Sequence, residues 1–129
     1  MSILYIDDDL EDIEIFNDAV KTVDPGINCI SSTSAKEALQ LLNNIDKPDH
    51  IVLDINMPGM DGKVCLQELR KNPKFDRVNV IVYSTNSFPK DIEQIESLGA
   101  TFVRKATSFN ALCTLIRQLA EGEFVGRRK

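Results

Sequence analysis

Five short runs rich in β-branched and apolar residues recur along this chain, and a longer stretch of helical periodicity follows each one. The runs are SILYI (2–6), INCIS (27–31), HIVLDI (50–55), VNVIVYS (78–84) and ATFVR (100–104). Several are apolar at nearly every position instead of alternating, the pattern of strands covered on both faces. In the first intervening stretch, DLEDIEIFNDAVKTV, Ile13, Phe16, Val20 and Val23 fall at three- and four-residue steps and share one helical face. SAKEALQLLNNI repeats this with Ala35, Ala38, Leu39, Leu42 and Ile45, and GKVCLQELRKN, PKDIEQIESLG and SFNALCTLIRQLAEG follow the same pattern. Strand and helix thus alternate five times. With right-handed crossovers this order predicts an α/β fold: a doubly wound, five-stranded parallel sheet with helices on both faces.

The punctuation agrees. Ser34 and Glu37 have capping-box spacing at the second helix, and Asp9 stands at the N-cap position of the first, with Asp12 three residues on. Gly99 and Gly122 stand just past the fourth and fifth helices, where a left-handed cap is wanted. A chain of 129 residues with 43% hydrophobic content is expected to be one domain, 1–129, with a short basic tail at about 123–129.

Composition excludes several functions. The net charge of -5 argues against a nucleic-acid partner, since the one basic run is the terminal GRRK. No segment approaches the roughly 20 apolar residues of a membrane span, and there is no basic leader. Cys29, Cys65 and Cys113 form no C-x-x-C pair and read as free buried thiols of a cytoplasmic protein. His50, the only histidine, reads as a strand-edge residue with no second histidine for a relay or a zinc site.

In a doubly wound sheet, chemistry collects beyond the carboxyl ends of the strands. Asp7 and Asp8 end the first run, Asp54 the third, Ser84 and Thr85 the fourth, and Lys105 follows the fifth. Parallel strands bring all of these to one rim. Carboxylates gathered so closely resist joint ionisation unless a cation joins them, and magnesium suits a site of few carboxylates with room for water and phosphate oxygens. A carboxylate there can act as a nucleophile and form an acyl phosphate, with the cation and Lys105 offsetting charge on the transferring group and Ser84 donating to a phosphoryl oxygen. The turn residues Pro58 and Gly59, and Asp61-Gly62 opening the next helix, leave space above Asp54, where the Asn56 carbonyl could join the cation.

ILYIDDD, VLDINMPGMDG, VIVYST and FVRK, in this order and over essentially the whole chain, resemble the receiver domains of two-component response regulators. The resemblance implies a flavodoxin-like (βα)5 fold. It implies Asp54 as phosphoacceptor, Mg2+ bound directly by Asp8, Asp54 and the Asn56 carbonyl and through water by Asp7, and Lys105 on the phosphoryl oxygens. It also implies Ser84 as the switch hydroxyl, Phe102 as an aromatic rotamer switch, and Asn56 and Asn86 at positions that tune phosphoryl lifetime. Phe102 reads equally as a core aromatic.

The implied partners are a sensor histidine kinase or histidine phosphotransfer protein as donor and an output protein met through the fourth helix, fifth strand and fifth helix. That face also serves family members as a homodimer surface. SFPKDIEQIESLGA further resembles stand-alone regulators of phytochrome-like kinases, while the overall pattern also resembles chemotaxis regulators. The chain departs from the family at Ala106, where proline is usual and often cis, and the run from Gly99 to Lys105 is one residue short. A cis bond before alanine costs about 3 kcal/mol, so a trans bond is expected. Arg104 is expected to point away by strand alternation.

Two other readings compete. A degenerate receiver would bind proteins without phosphorylation; the missing proline favours it and the complete acidic set opposes it. A phosphatase or nucleotide-binding enzyme would want a glycine-rich loop after the first strand, or a second aspartate at the position of Asn56, and has neither.

Overall fold

The structure is a computed structural model, and it describes residues 1–55, 62–85 and 89–122. The elements run β1 (Ser2–Ile6), α1 (Leu10–Val23), β2 (Asn28–Ser32), α2 (Ala35–Leu42), β3 (His50–Leu53), α3 (Gly62–Lys71), β4 (Asn79–Ser84), α4 (Pro89–Ser97), β5 (Thr101–Arg104) and α5 (Phe109–Ala120). All strand pairs are parallel, in the order β2-β1-β3-β4-β5. The chain winds outward from β1 to β2, then crosses to β3 and continues the other way. The reversal lies between β1 and β3, so the ends of those two strands frame the crevice where such sheets bind ligands.

Strand alternation divides the interior in two. Leu4, Ile6, Ile51, Leu53, Val80 and Val82 face a cluster with residues of α2, α3 and α4, including Leu42, Leu66 and Ile95. Ile3, Tyr5, Val52, Ile81 and Tyr83 face the other cluster, with Phe16 and Val20 of α1 and Leu112 and Ile116 of α5. The near-continuous apolar runs are therefore explained by burial on both sides. Tyr5 stacks on Phe16 with ring centroids 4.1 Å apart.

The end signals act as expected. The Asp9 side chain accepts the amides of Glu11 and Asp12, and that of Ser34 accepts the amide of Glu37. Gly99 and Gly122 both have φ of 76°, the left-handed region that favours glycine. Among the described residues no helix is long and apolar enough to cross a membrane.

Three expectations need correction. His50 does stand at the start of a strand, but that strand is the central β3 and the side chain is 3% exposed, its ring nitrogen Nδ1 paired with the Asn79 amide across β3 and β4 at 2.8 Å. Cys29 is half-buried, since β2 is an edge strand, although burial still pushes its thiol up to about 11; Cys65 and Cys113 are buried and free. Ile45 lies beyond the end of α2 but still packs on the core.

Candidate functional site at the carboxyl rim

Register places the site. Ile6 pairs with Leu53, so Asp7 and Asp54 are the next positions of adjacent strands, tied by the Asp54 amide donating to the Ile6 carbonyl at 2.9 Å. Asp7 continues the side of Ile3 and Tyr5, Asp54 that of Val52, and Lys105 that of Val103; all three point toward α1 and α5. The carboxylates of Asp7, Asp8 and Asp54 bring oxygens within 4.8 Å of one another.

Asp7 is fully buried. Its Oδ2 accepts the Tyr5 hydroxyl at 2.7 Å and the Lys105 ammonium at 2.8 Å, and its Oδ1 accepts the Asp9 amide at 3.0 Å. Asp8 is exposed, and Asp54 is 8% exposed. The Lys105 Nζ also lies 2.8 Å from Asp12 Oδ2 and 3.4 Å from Asp54 Oδ2. Burial alone would lower the lysine pKa, but hydrogen bonds to Asp12 and Asp7 and the charges of Asp54 and Asp7 outweigh it and leave the ammonium above its ordinary value. Burial, then the bond to Asp7, drives the Tyr5 phenol upward, so Tyr5 is a fixed neutral donor to that carboxylate.

The departure at Ala106 has a local answer. No cis peptide occurs among the described residues. The Ala106 amide, which proline would lack, donates to the buried Tyr83 hydroxyl at 2.9 Å, and the Lys105 amide donates to the Ser84 carbonyl at 2.9 Å. Both bonds anchor the turn that carries Lys105.

Other expected residues lie nearby. Ser84 ends β4 and is fully buried, Thr85 is exposed, and exposed Arg104 reaches the Thr85 carbonyl at 3.4 Å, away from the carboxylates. Phe102 is partly buried against the cluster on the α2–α4 side. Asn56, Pro58, Gly59, Asp61 and Asn86, and the tail at 123–129, lie outside the described residues. Gly62 opens α3 so close to the end of β3 that an added Cβ would sit 2.5 Å from the Ile55 Cα and 2.6 Å from the Asp54 carbonyl oxygen. Only glycine lets the helix start that near Asp54.

Sequence reasoning missed three members of the network. Tyr5 could have been found two residues before Asp7, on the same strand face. Tyr83 and Asp12 carried no such signal; Asp12 was visible only as a first-turn helix residue.

Three carboxylates on one ammonium, with the Asp8 carboxylate close to two of them and a buried hydroxyl-bearing strand end nearby, make a site built to hold a cation and an anionic group together. The response regulator receiver domain model matches residues 3–117. This chain belongs to that family. Receivers are signalling modules whose phosphoryl chemistry is confined to themselves, and the Asp7, Asp8, Asp54 and Lys105 cluster has the arrangement of such a phosphoacceptor and divalent-metal site. Among curated relatives, the receiver is 33% identical over 118 residues to the sensor histidine kinase CheAY of Helicobacter pylori, covering 90% of this chain and 14% of that protein. It is 31% identical over 103 residues to the nitrate/nitrite response regulator NarL of Escherichia coli, covering 78% and 46%. The chain therefore spans less than half the length of either relative. The crystal structure of the phosphorylated cyanobacterial phytochrome response regulator RcpA is similar at TM-score 0.84 and 25% identity, covering 94% of this chain and 91% of that one. The signal receiver domain of a DNA-binding response regulator from Colwellia psychrerythraea 34H is similar at TM-score 0.81 and 30% identity, covering 94% and 98%.

Proposed function

We propose that this receiver accepts a phosphoryl group on Asp54 from the phosphohistidine of a sensor histidine kinase or histidine phosphotransfer protein, in a Mg2+-dependent reaction. The observation that carries the reading is the pairing of a nearly buried Asp54 with the Lys105 ammonium beside the Asp7 and Asp8 carboxylates. The carboxylates of Asp7, Asp8, Asp12 and Asp54 against the one Lys105 ammonium leave a net charge of about three negative units, and the converging donors of Asp7, Asp8 and Asp54 are oxygen, which suits a divalent hard cation. Asp7 already accepts three hydrogen bonds, which leaves little capacity for direct ligation. The family resemblance assigns Asp8, Asp54 and the Asn56 carbonyl as direct ligands and Asp7 as a water-mediated one, and the three bonds already on Asp7 support its part of that assignment. When bound, Mg2+ neutralises charge on the phosphoryl oxygens.

In the transfer, an Asp54 carboxylate oxygen forms the new P–O bond as the donor's P–N bond breaks. The imidazole nitrogen keeps the bonding pair and takes a proton from water. Lys105 stabilises the charge on the moving group, and the Ser84 hydroxyl donates to it afterwards. That rearrangement shifts the population of conformations at the face built by α4, β5 and α5, with Phe102 following Ser84. An output protein, or a homodimer through the same face, reads the change in the cytoplasm. The phosphorylated state of the similar RcpA structure and the kinase identity of the CheAY relative support this reading. The degenerate alternative leaned on the missing proline, and the Tyr83 bond to Ala106 weakens that support.

The test is incubation with phosphoramidate or acetyl phosphate and Mg2+, followed by intact-mass measurement. Wild type gains one phosphoryl group, EDTA prevents the gain, and Asp54→Asn shows none. No gain in wild type, when a known receiver is modified alongside, ends the phosphoacceptor reading. Equal modification of Asp54→Asn ends the site assignment.

A further inference from the structure

An ammonium has three N–H donors, and the structure directs the Lys105 ammonium at three carboxylates. The contacts are unequal: 2.8 Å to Asp7, 2.8 Å to Asp12 and 3.4 Å to Asp54. The first two have the length of charge-assisted bonds, and the third falls outside that range. The lysine therefore leans toward α1 and away from the residue it is meant to serve.

The two strong acceptors differ in freedom. Asp7 is fully buried and fixed by Tyr5 and the Asp9 amide. The Asp12 side chain is 36% exposed on the first turn of α1, beside a cavity of about 300 Å³ lined by Tyr5, Phe16, Tyr83, Ala106 and Phe109. Asp12 lies outside the group of three carboxylates whose oxygens converge closely enough to hold a metal. It is the contact that can give way without disturbing the rest.

We propose that Asp12 is a positioning residue that holds Lys105 back from the phosphoryl position and so slows phosphoryl transfer to Asp54. The inference rests on the reading of Asp54 as phosphoacceptor. Two effects act with the same sign. Asp12 occupies an ammonium donor that the phosphoryl oxygens need, and its negative charge repels an anionic donor molecule. With phosphoramidate as donor, the P–N bond breaks, the P–O bond to Asp54 forms, and ammonia leaves with the bonding pair after the nitrogen takes a proton from water. Asp12 exchanges no atoms; it only yields the lysine.

The experiment compares wild type, Asp12→Asn, Asp12→Ser and Asp12→Glu by intact mass over time at saturating Mg2+, with urea midpoints confirming folding. Asp12→Asn and Asp12→Ser are expected to phosphorylate about twofold to fivefold faster, the scale of one partly exposed ion pair. Their affinity for beryllofluoride with Mg2+, a phosphoryl mimic, rises in parallel. Asp12→Glu, which keeps the charge, restores a rate near that of wild type. If wild type is labelled and both neutral variants react at its rate or slower, the Asp12 inference falls and the phosphoacceptor reading stands. It also falls if Asp12→Glu is as fast as Asp12→Asn. If wild type takes no phosphoryl group while a known receiver does, the functional reading fails and takes this inference with it.

Discussion

At the carboxyl rim of the sheet Lys105 sits among three carboxylates, whereas at the amino rim Arg70 sits among five backbone carbonyls. The Arg70 guanidinium, at the end of α3, donates to the carbonyls of Phe75, Asp76 and Val78 before β4 and of Leu98 and Gly99 before β5, at 2.7 to 3.3 Å. A planar fork with fixed donor directions suits carbonyls that never change charge. A lysine is a point charge on a flexible stem, and its partners carry charges that a metal ion or a phosphoryl group can take over. The buried polar pair near the amino rim, His50 with Asn79, is joined by one 2.8 Å hydrogen bond between uncharged groups. One end of the sheet is built to be renegotiated and the other to stay as it is.

The comparison can be broken at either end. Lys105→Ala should have the largest effect, slowing phosphoramidate labelling of Asp54 by about 100-fold or more, as loss of one transition-state donor typically does; a labelling time course at fixed Mg2+ reads it. Arg70→Met should lower stability by about 3 kcal/mol in urea unfolding, because several carbonyls lose a charged donor together. The folded fraction of that variant should still label at nearly the wild-type rate. A folded Arg70→Met that labels as poorly as Lys105→Ala would erase the distinction between the rims.

The smallest effect concerns His50, whose pKa burial holds below the ordinary 6.5, with Asp49 and the Leu119 backbone opposing that fall. The unfolded chain takes a proton near the ordinary value and the folded chain resists it. Stability from this residue is therefore complete above that pH and declines as pH drops below it. Urea midpoints at pH 7.5 and 5.5 should fall more for wild type than for His50→Gln. Equal falls would show that the amino rim tolerates a charge after all.

The order of elements was legible because period and punctuation are local. The runs that became β1, β3 and β4 are apolar at nearly every position, and Asp9, Ser34 and Gly99 mark helix ends by their own chemistry. The meeting of Asp7, Asp8, Asp54 and Lys105 was legible for a different reason: parallel strands send every carboxyl end to one rim. Other contacts depended on relations between elements. The Asp12 bond to Lys105 needs the rotation of α1 against β5, across 93 positions of chain. His50 was misread because its partner Asn79 is supplied by the register of β3 on β4. The five carbonyls of Arg70 come from two loops that the sequence leaves unrelated.

The sequence by itself determined the α/β winding, the rim on which the chemistry gathers and the acidic residues that form it, because these follow from hydrophobic period and chain direction. The tertiary structure decided which acceptors the lysine holds, how Ala106 is secured without a proline, and which polar groups lie neutral in the interior. Those outcomes depend on distances of a few ångströms between side chains on different elements, and no periodicity in one dimension encodes them.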